Sequence, residues 1–238
     1  MRSLLLLLLV TTSSWAGLTV SGTLTHGNEK GTLKQFFQDQ NVRLDFQMGP
    51  KNGAFIYQTR SGVILWIDHA KKSFIEMNKA DLDRLLVVFS SFAKNQPAPP
   101  AEVKLTKEAD GVKVGVWRCA RYGLTIRGAK AGRCCVLPME SVGASRADYR
   151  PLETLMDTVL KIGAIPADSK AIVESLSQAL NHGFIMQSEQ TDPSGNPQGG
   201  YVTTAIDRKV LAANTFKGPA GYQRQDIMAL LQKQVSGK

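Results

Sequence analysis

Three cysteines and six cations crowd into one stretch of this chain, and they are the side chains best placed by type and spacing to do chemistry. Cys119, Cys134 and Cys135 are the full cysteine complement. In an oxidising compartment Cys119 can bridge to either of the other two, leaving one thiol over. If the hairpin turn lies at 128–132, simple pairing leaves Cys119 several residues out of register with Cys134. A bridge then needs a bulge or a non-adjacent strand. There is no Cys-x-x-Cys pair, and the three histidines, His26, His69 and His182, are scattered along the chain. Neither a metal centre nor a cofactor is expected.

The cations are Lys113, Arg118, Arg121, Arg127, Lys130 and Arg133, and no acid interrupts them between Gly111 and Met139. They dominate a formal net charge of +9. Outside the cytoplasm such a hairpin suits an anionic membrane surface or an acidic partner rather than nucleic acid. A solvated basic edge that keeps sheets from aggregating is the plainer reading of the same residues.

Catalytic patterns are missing. No Gly-x-Ser-x-Gly turn presents a nucleophile. Asp81 and Asp83 do not share a helix face and fit a solvated helix start, where they favour the positive end of the dipole. Gly22, Gly27, Gly31 and the Gly199-Gly200 pair punctuate strands instead of opening helices, so no loop cradles a phosphate. The expectation is a protein that is not an enzyme.

The elements that would hold these residues follow a leader-like segment. Arg2, the apolar run from Leu4 to Val10, and Ser14 and Ala16 around Trp15 have the layout of a signal peptide over residues 1–16. Its apolar run is far short of the about 20 residues that span a bilayer as a helix. An exported, soluble protein of one domain, residues 17–238, is expected, with the periplasm as its compartment.

From Leu18 to Met77 apolar and polar residues alternate between turns, the period-2 signature of half-buried strands. Strands are expected at 18–25, 31–38, 41–47, 54–60, 63–68 and 73–77. Val63–Asp68 is apolar on both faces, which calls for a second layer. Asn78 caps a helix with Leu82, Leu85, Leu86, Phe89 and Phe92 along one stripe. The proline-rich stretch 95–101 is a connector. Strands resume at 103–106, turn at Asp110-Gly111, and continue over 112–126 and 132–137. Pro151 opens a second helix and Asp168 or Ser169 caps a third, carrying Ile172, Leu176 and Leu180 and closed by Gly183. Strands at 184–190 and 201–211 and a terminal helix at 225–234 complete the set.

The order of these pieces resembles the LolA/LolB-like superfamily of bacterial envelope lipoprotein carriers, more particularly an uncharacterised exported branch of it. The resemblance is carried by Gly31-Thr32-Leu33 running to Phe36-Phe37, by Val42-Arg43-Leu44-Asp45-Phe46, and by Ser61-Gly62 before Leu65-Trp66-Ile67-Asp68. Later come Lys113 to Tyr122, Ile206-Asp207-Arg208-Lys209, and Phe216-Lys217-Gly218-Pro219-Ala220-Gly221-Tyr222. It implies an α+β fold: a curved, unclosed antiparallel half-barrel with helices over its concave face and an apolar cavity for acyl chains.

On that reading Leu44, Phe46, Trp66 and Phe89 line or cover the cavity, and Arg43 fixes the lid or meets a head group. The ligand would be a lipid or an acylated protein, each buried methylene contributing roughly 0.8 kcal/mol. The competing expectation is an envelope scaffold that uses the same sheet and docks its basic hairpin on an anionic surface or partner.

Overall fold

The computed structural model describes residues 16–93, 102–160, 167–192 and 194–230. The expected signal segment, up to residue 15, and the connector at 95–101 lie outside them. Twelve strands form one sheet: β1 (Gly17–His26), β2 (Glu29–Gln38), β3 (Asn41–Met48), β4 (Lys51–Gln58), β5 (Val63–Asp68), β6 (Ser73–Met77), β7 (Val103–Val114), β8 (Trp117–Ile126), β9 (Ala129–Leu137), β10 (Phe184–Thr191), β11 (Pro197–Lys209) and β12 (Gln223–Gln225). Interleaved with them are α1 (Lys79–Ala93), α2 (Arg146–Leu160), α3 (Ala167–His182) and a short 3-10 turn (Met139–Val142). The order across the sheet is β12-β6-β5-β4-β3-β2-β1-β11-β10-β9-β8-β7, curved and unclosed, with the helices on the concave side. This is the expected α+β architecture. All pairings are antiparallel except the short β12–β6 pair.

One row of side chains explains why the sheet folds as it does. Leu18 stands opposite Phe37, Phe37 opposite Val42, Val42 opposite Tyr57, and Tyr57 opposite Ile64, so alternation in five successive strands puts one apolar residue of each in line. All five are buried. Helix α2 lies on this row: the Tyr149 ring packs against Phe37 at 4.6 Å and edge-on to Phe184 at 5.8 Å. Leu155 and Met156 extend the same cluster.

The opposite face of the same strands is also covered. Ala54, Ile56, Leu65 and Ile67 form a second cluster, against which Phe216 and Tyr222 of the C-terminal segment pack. That segment is the second layer the two-sided β5 requires. It is held by Gln58 Nε2 donating to the Phe216 carbonyl at 2.8 Å, by Arg43 Nη1 donating to the Thr215 carbonyl at 2.9 Å, and by a 2.9 Å hydrogen bond between His69 Nδ1 and the Tyr222 hydroxyl.

Several local expectations are corrected. The turn placed at Asp110-Gly111 is a bulged interior of β7. One register shift falls at Glu108 and a second takes in Asp110 and Gly111. The chain reverses instead at Gly115-Val116, where Gly115 takes a φ of 57° that a side-chain-bearing residue rarely adopts. The next reversal is at Arg127-Gly128, not over 128–132. Helix α2 starts at Arg146, five residues before Pro151, because Asp148 accepts hydrogen bonds from the Ser145 amide and hydroxyl and fixes the helix start there. Pro151 lies inside the helix and gives up its bond to the Ala147 carbonyl. Helix α3 starts at Ala167, so Asp168 and Ser169 fall within its first turn rather than ahead of it. Asn78 caps α1 as expected, its side chain accepting from the Asp81 amide while Asp81 accepts from the Asn78 amide. Of the terminal helix expected at 225–234, residues 227–230 are helical, Gln225 belongs to β12, and 231–234 lie outside the described residues.

Arg208 of β11 clamps α2 in place. Its guanidinium donates to both Asp148 carboxylate oxygens, at 2.9 and 2.5 Å, and to the Gly143 and Ala16 carbonyls. Burial pushes the Asp148 carboxyl up, but hydrogen bonds from Arg208 and Ser145 outweigh it and hold the group below its ordinary value. Stability from this carboxylate is therefore present above its unfolded pKa of about 3.9 and is lost as pH falls through the lower folded value. Asp148→Asn is expected to be less stable than wild type at pH 7 in urea unfolding, with the gap closing below about pH 4. In the same assay Phe37→Ala, which empties the centre of the buried row, should cost about 3–5 kcal/mol.

Candidate functional site

The β8–β9 hairpin decides where the three cysteines point. Near its turn Ile126 pairs with Ala129 and Thr125 with Lys130, but beyond it Leu124 pairs with Gly132, leaving Ala131 as an extra residue. Without that bulge Arg121 would stand opposite Cys134 and Cys134 would share the face of Cys119. With it, Arg121 stands opposite Cys135, and every later residue of β9 is turned over. Cys119 and Cys135 accordingly share a face and are joined in a disulfide with Cα atoms 5.5 Å apart. Cys134 is left as a free, buried thiol on the concave side, and burial pushes its pKa up to about 11.

Beside Cys134 lies an apolar cleft of about 280 Å³ between α3 and the concave face of β7–β10. Leu105, Leu124 and Ile185 form its floor, and Ile172 and Leu176 hang over it from α3. These last two come from the helix stripe read in the sequence, and they remain 39% and 38% exposed. A helix stripe left this open has no core residue in front of it. Ala179 and Leu180, one turn further on, do pack into the core, and His182 stacks on Tyr122 at 4.6 Å, closing that end.

The residues singled out for ligand contact are distributed differently. Leu44, Phe46 and Trp66 lie on the concave face, where Trp66 packs against Phe46 at 5.9 Å and Phe55 at 6.2 Å and is 47% exposed. They form an aromatic patch on β3–β5, separated by β2, β1 and β11 from the strands under the cleft. Phe89 belongs to α1, but its side chain lies outside the described residues. Arg43 is not brought together with them. It alternates to the opposite face, where its Nε meets Asp45 at 2.6 Å and its Nη1 holds the C-terminal segment. It thus fastens a strap on the convex side and touches no concave helix.

The basic residues divide as well. Lys113 and Arg118 face each other across β7–β8, on the side of Tyr122. Arg121, Lys130 and Arg133 alternate to the other face, and Arg127 occupies the turn. Arg133 pairs with Glu189 at 3.1 Å. The hairpin therefore presents no single cationic plane. Among the described residues no group of three or more His, Cys, Asp or Glu could hold a metal.

An open, curved antiparallel sheet with helices across its hollow defines an α+β half-barrel in form. No family model matches the sequence, and no curated protein matches it. Among solved structures, the chain is similar to an uncharacterized conserved protein from Thermus thermophilus, at 10% identity and a TM-score of 0.50 over 90% of this chain and 91% of that one. That likeness is one of fold. MucB in complex with MucA(peri) is matched at 9% identity and a TM-score of 0.40, over 87% of this chain but 56% of MucB. The Pseudomonas aeruginosa MucA/MucB complex is matched at 9% identity and a TM-score of 0.33, over 88% of this chain and 58% of that one. This chain spans a little over half the length of those MucB chains.

The cysteine assignment makes a chemical prediction. Mild alkylation at neutral pH should leave Cys134 unmodified, with labelling accelerating as pH approaches 11, and denaturation without reductant should expose that one thiol. Peptide mapping should recover Cys119 linked to Cys135. Cys135→Ser should lower unfolding free energy by about 3 kcal/mol, as expected for a loop of this length.

Proposed function

We propose that this protein is an exported, soluble binding protein of the cell envelope that holds a single apolar chain, such as an acyl chain, in the cleft under α3. The observation that carries the reading is that cleft: an apolar floor on the sheet and an apolar helix stripe above it, left open to solvent. Burial of methylenes there contributes roughly 0.8 kcal/mol each and requires shape and dryness rather than catalytic groups. A volume of about 280 Å³ lies just below the range of roughly 300–1,000 Å³ for ligand pockets, which favours one chain over several.

Export and a periplasmic location are supported by the signal-like N-terminal sequence and by the suitability of the Cys119–Cys135 bridge to an oxidising compartment. No helix among the described residues is long and apolar enough to cross a membrane. The ordered motifs resembling the LolA/LolB-like carriers agree with a carrier role. The scaffold reading has weaker support, since the cations it needs are split between two faces of the hairpin.

Binding of the neutral fluorescent probe N-phenyl-1-naphthylamine tests the proposal. Ile172→Asp, which puts a charge on the exposed roof of the cleft, should weaken probe affinity at least about tenfold, whereas Trp66→Asp on the distant patch should leave it unchanged. Probe binding that is unaltered in a folded Ile172→Asp protein would remove the cleft from consideration. For the scaffold, replacing Arg118 and Arg121 with glutamine should leave association with anionic vesicles, and its salt dependence, as in wild type.

A further inference from the structure

The walls of the cleft constrain the head of a bound amphiphile as well as its chain, provided that the cleft is the binding seat proposed above. Of the described side chains that line it, Arg133 and Glu189 are the two that carry a charge. Both belong to the strand positions that alternate to the reverse face, opposite each other in β9 and β10. There they satisfy one another: Arg133 Nε meets Glu189 at 3.1 Å, and Glu189 also accepts from Gln187 Nε2 at 2.9 Å. The other described polar side chains that line the cleft are those of Ser175, Ser188, Gln190, Thr191 and Gln198, all neutral.

Asp192 follows the lining residue Thr191 and is hydrogen-bonded by another, Gln198. It accepts from the Asn196 amide at 2.8 Å, from Asn196 Nδ2 at 3.0 Å and from Gln198 Nε2 at 3.4 Å. The Asn196 hydrogen bonds hold its carboxyl below the usual range, so it is ionised at neutral pH. A carboxylate head would lie near this negative charge, and the one cation among the described lining side chains, Arg133, is already paired with Glu189. Partial desolvation of a carboxylate without a partner is costly.

We infer that the cleft selects a single-chain amphiphile with an uncharged head, of the fatty alcohol or monoacylglycerol type, over a free fatty acid. Ser188 and Gln190 line the cleft and supply the donors and acceptors that a hydroxyl or ester needs.

Competition against N-phenyl-1-naphthylamine at pH 8, with all competitors below their micellar concentrations, tests this. Monolaurin and dodecanol should displace the probe at concentrations about tenfold lower than laurate. Gln190→Lys, at an exposed position on the cleft wall, adds a cation there and should bring laurate level with monolaurin. Laurate matching monolaurin on the wild-type protein overturns the inference, as does a Gln190→Lys protein in which laurate gains nothing relative to monolaurin. Absence of probe binding, or insensitivity of the probe to Ile172→Asp, defeats the cleft itself, so the two failures are told apart.

Discussion

A sheet that curves without closing has two faces to keep dry, and the structure depends on how each is covered. On the concave side the decisive contact is Tyr149 wedged between Phe37 and Phe184, with the Asp148–Arg208 pair one residue away fixing the start of the helix that delivers it. Ring packing supplies the apolar gain, while the bidentate pair supplies direction, since two parallel hydrogen bonds tolerate little rotation. On the convex side a strap without regular structure over most of its length does the same for β4 and β5, through Phe216 and Tyr222. Because α2 fills the middle of the hollow, the space left for a guest is displaced toward the β7–β10 end.

That displacement governs the chemistry. Near the centre Tyr149, Leu155 and Met156 of α2 are buried, whereas α3 reaches the sheet with Ala179 and Leu180 and stands off at Ile172 and Leu176. The bulge at Ala131 then turns β9 so that its disulfide goes to one side and the free thiol of Cys134 to the cleft. A single extra residue in one strand thus sets which cysteine is cross-linked and which lines the pocket.

Much of the architecture was legible in the sequence. Alternation located β1 to β6, the two-sided character of Val63–Asp68 implied a covering layer, and Asn78 and Gly183 marked helix ends, because these signals are local. Bulges are not local, since they are chosen by the partner strand, and so Asp110-Gly111 looked like a turn and the cysteine pairing stayed open between Cys134 and Cys135. The start of α2 was missed for a similar reason. Pro151 advertises a first turn, yet the Ser145–Asp148 cap prevails once Arg208, about sixty residues later, holds Asp148 in place. As for the site, the Ile172 and Leu176 stripe was visible, but nothing in its spacing distinguishes an open roof from a buried one. Arg43 already alternated with Leu44 and Phe46 in the sequence, and the opposite face is where it lies.

The pairing of β1 with β11 has a consequence for how the chain matures. In one half of the sheet β1 to β6 are successive hairpins; in the other β7 to β9 and β10–β11 are hairpins, with α2 and α3 between β9 and β10. Their seam, by contrast, joins Gly17 to Lys209 and closes a loop of nearly the whole described chain. Until β11 pairs with β1, the two halves are held together by α2 on the first half and not by the sheet itself, so continuity of the sheet waits on its most distant pairing.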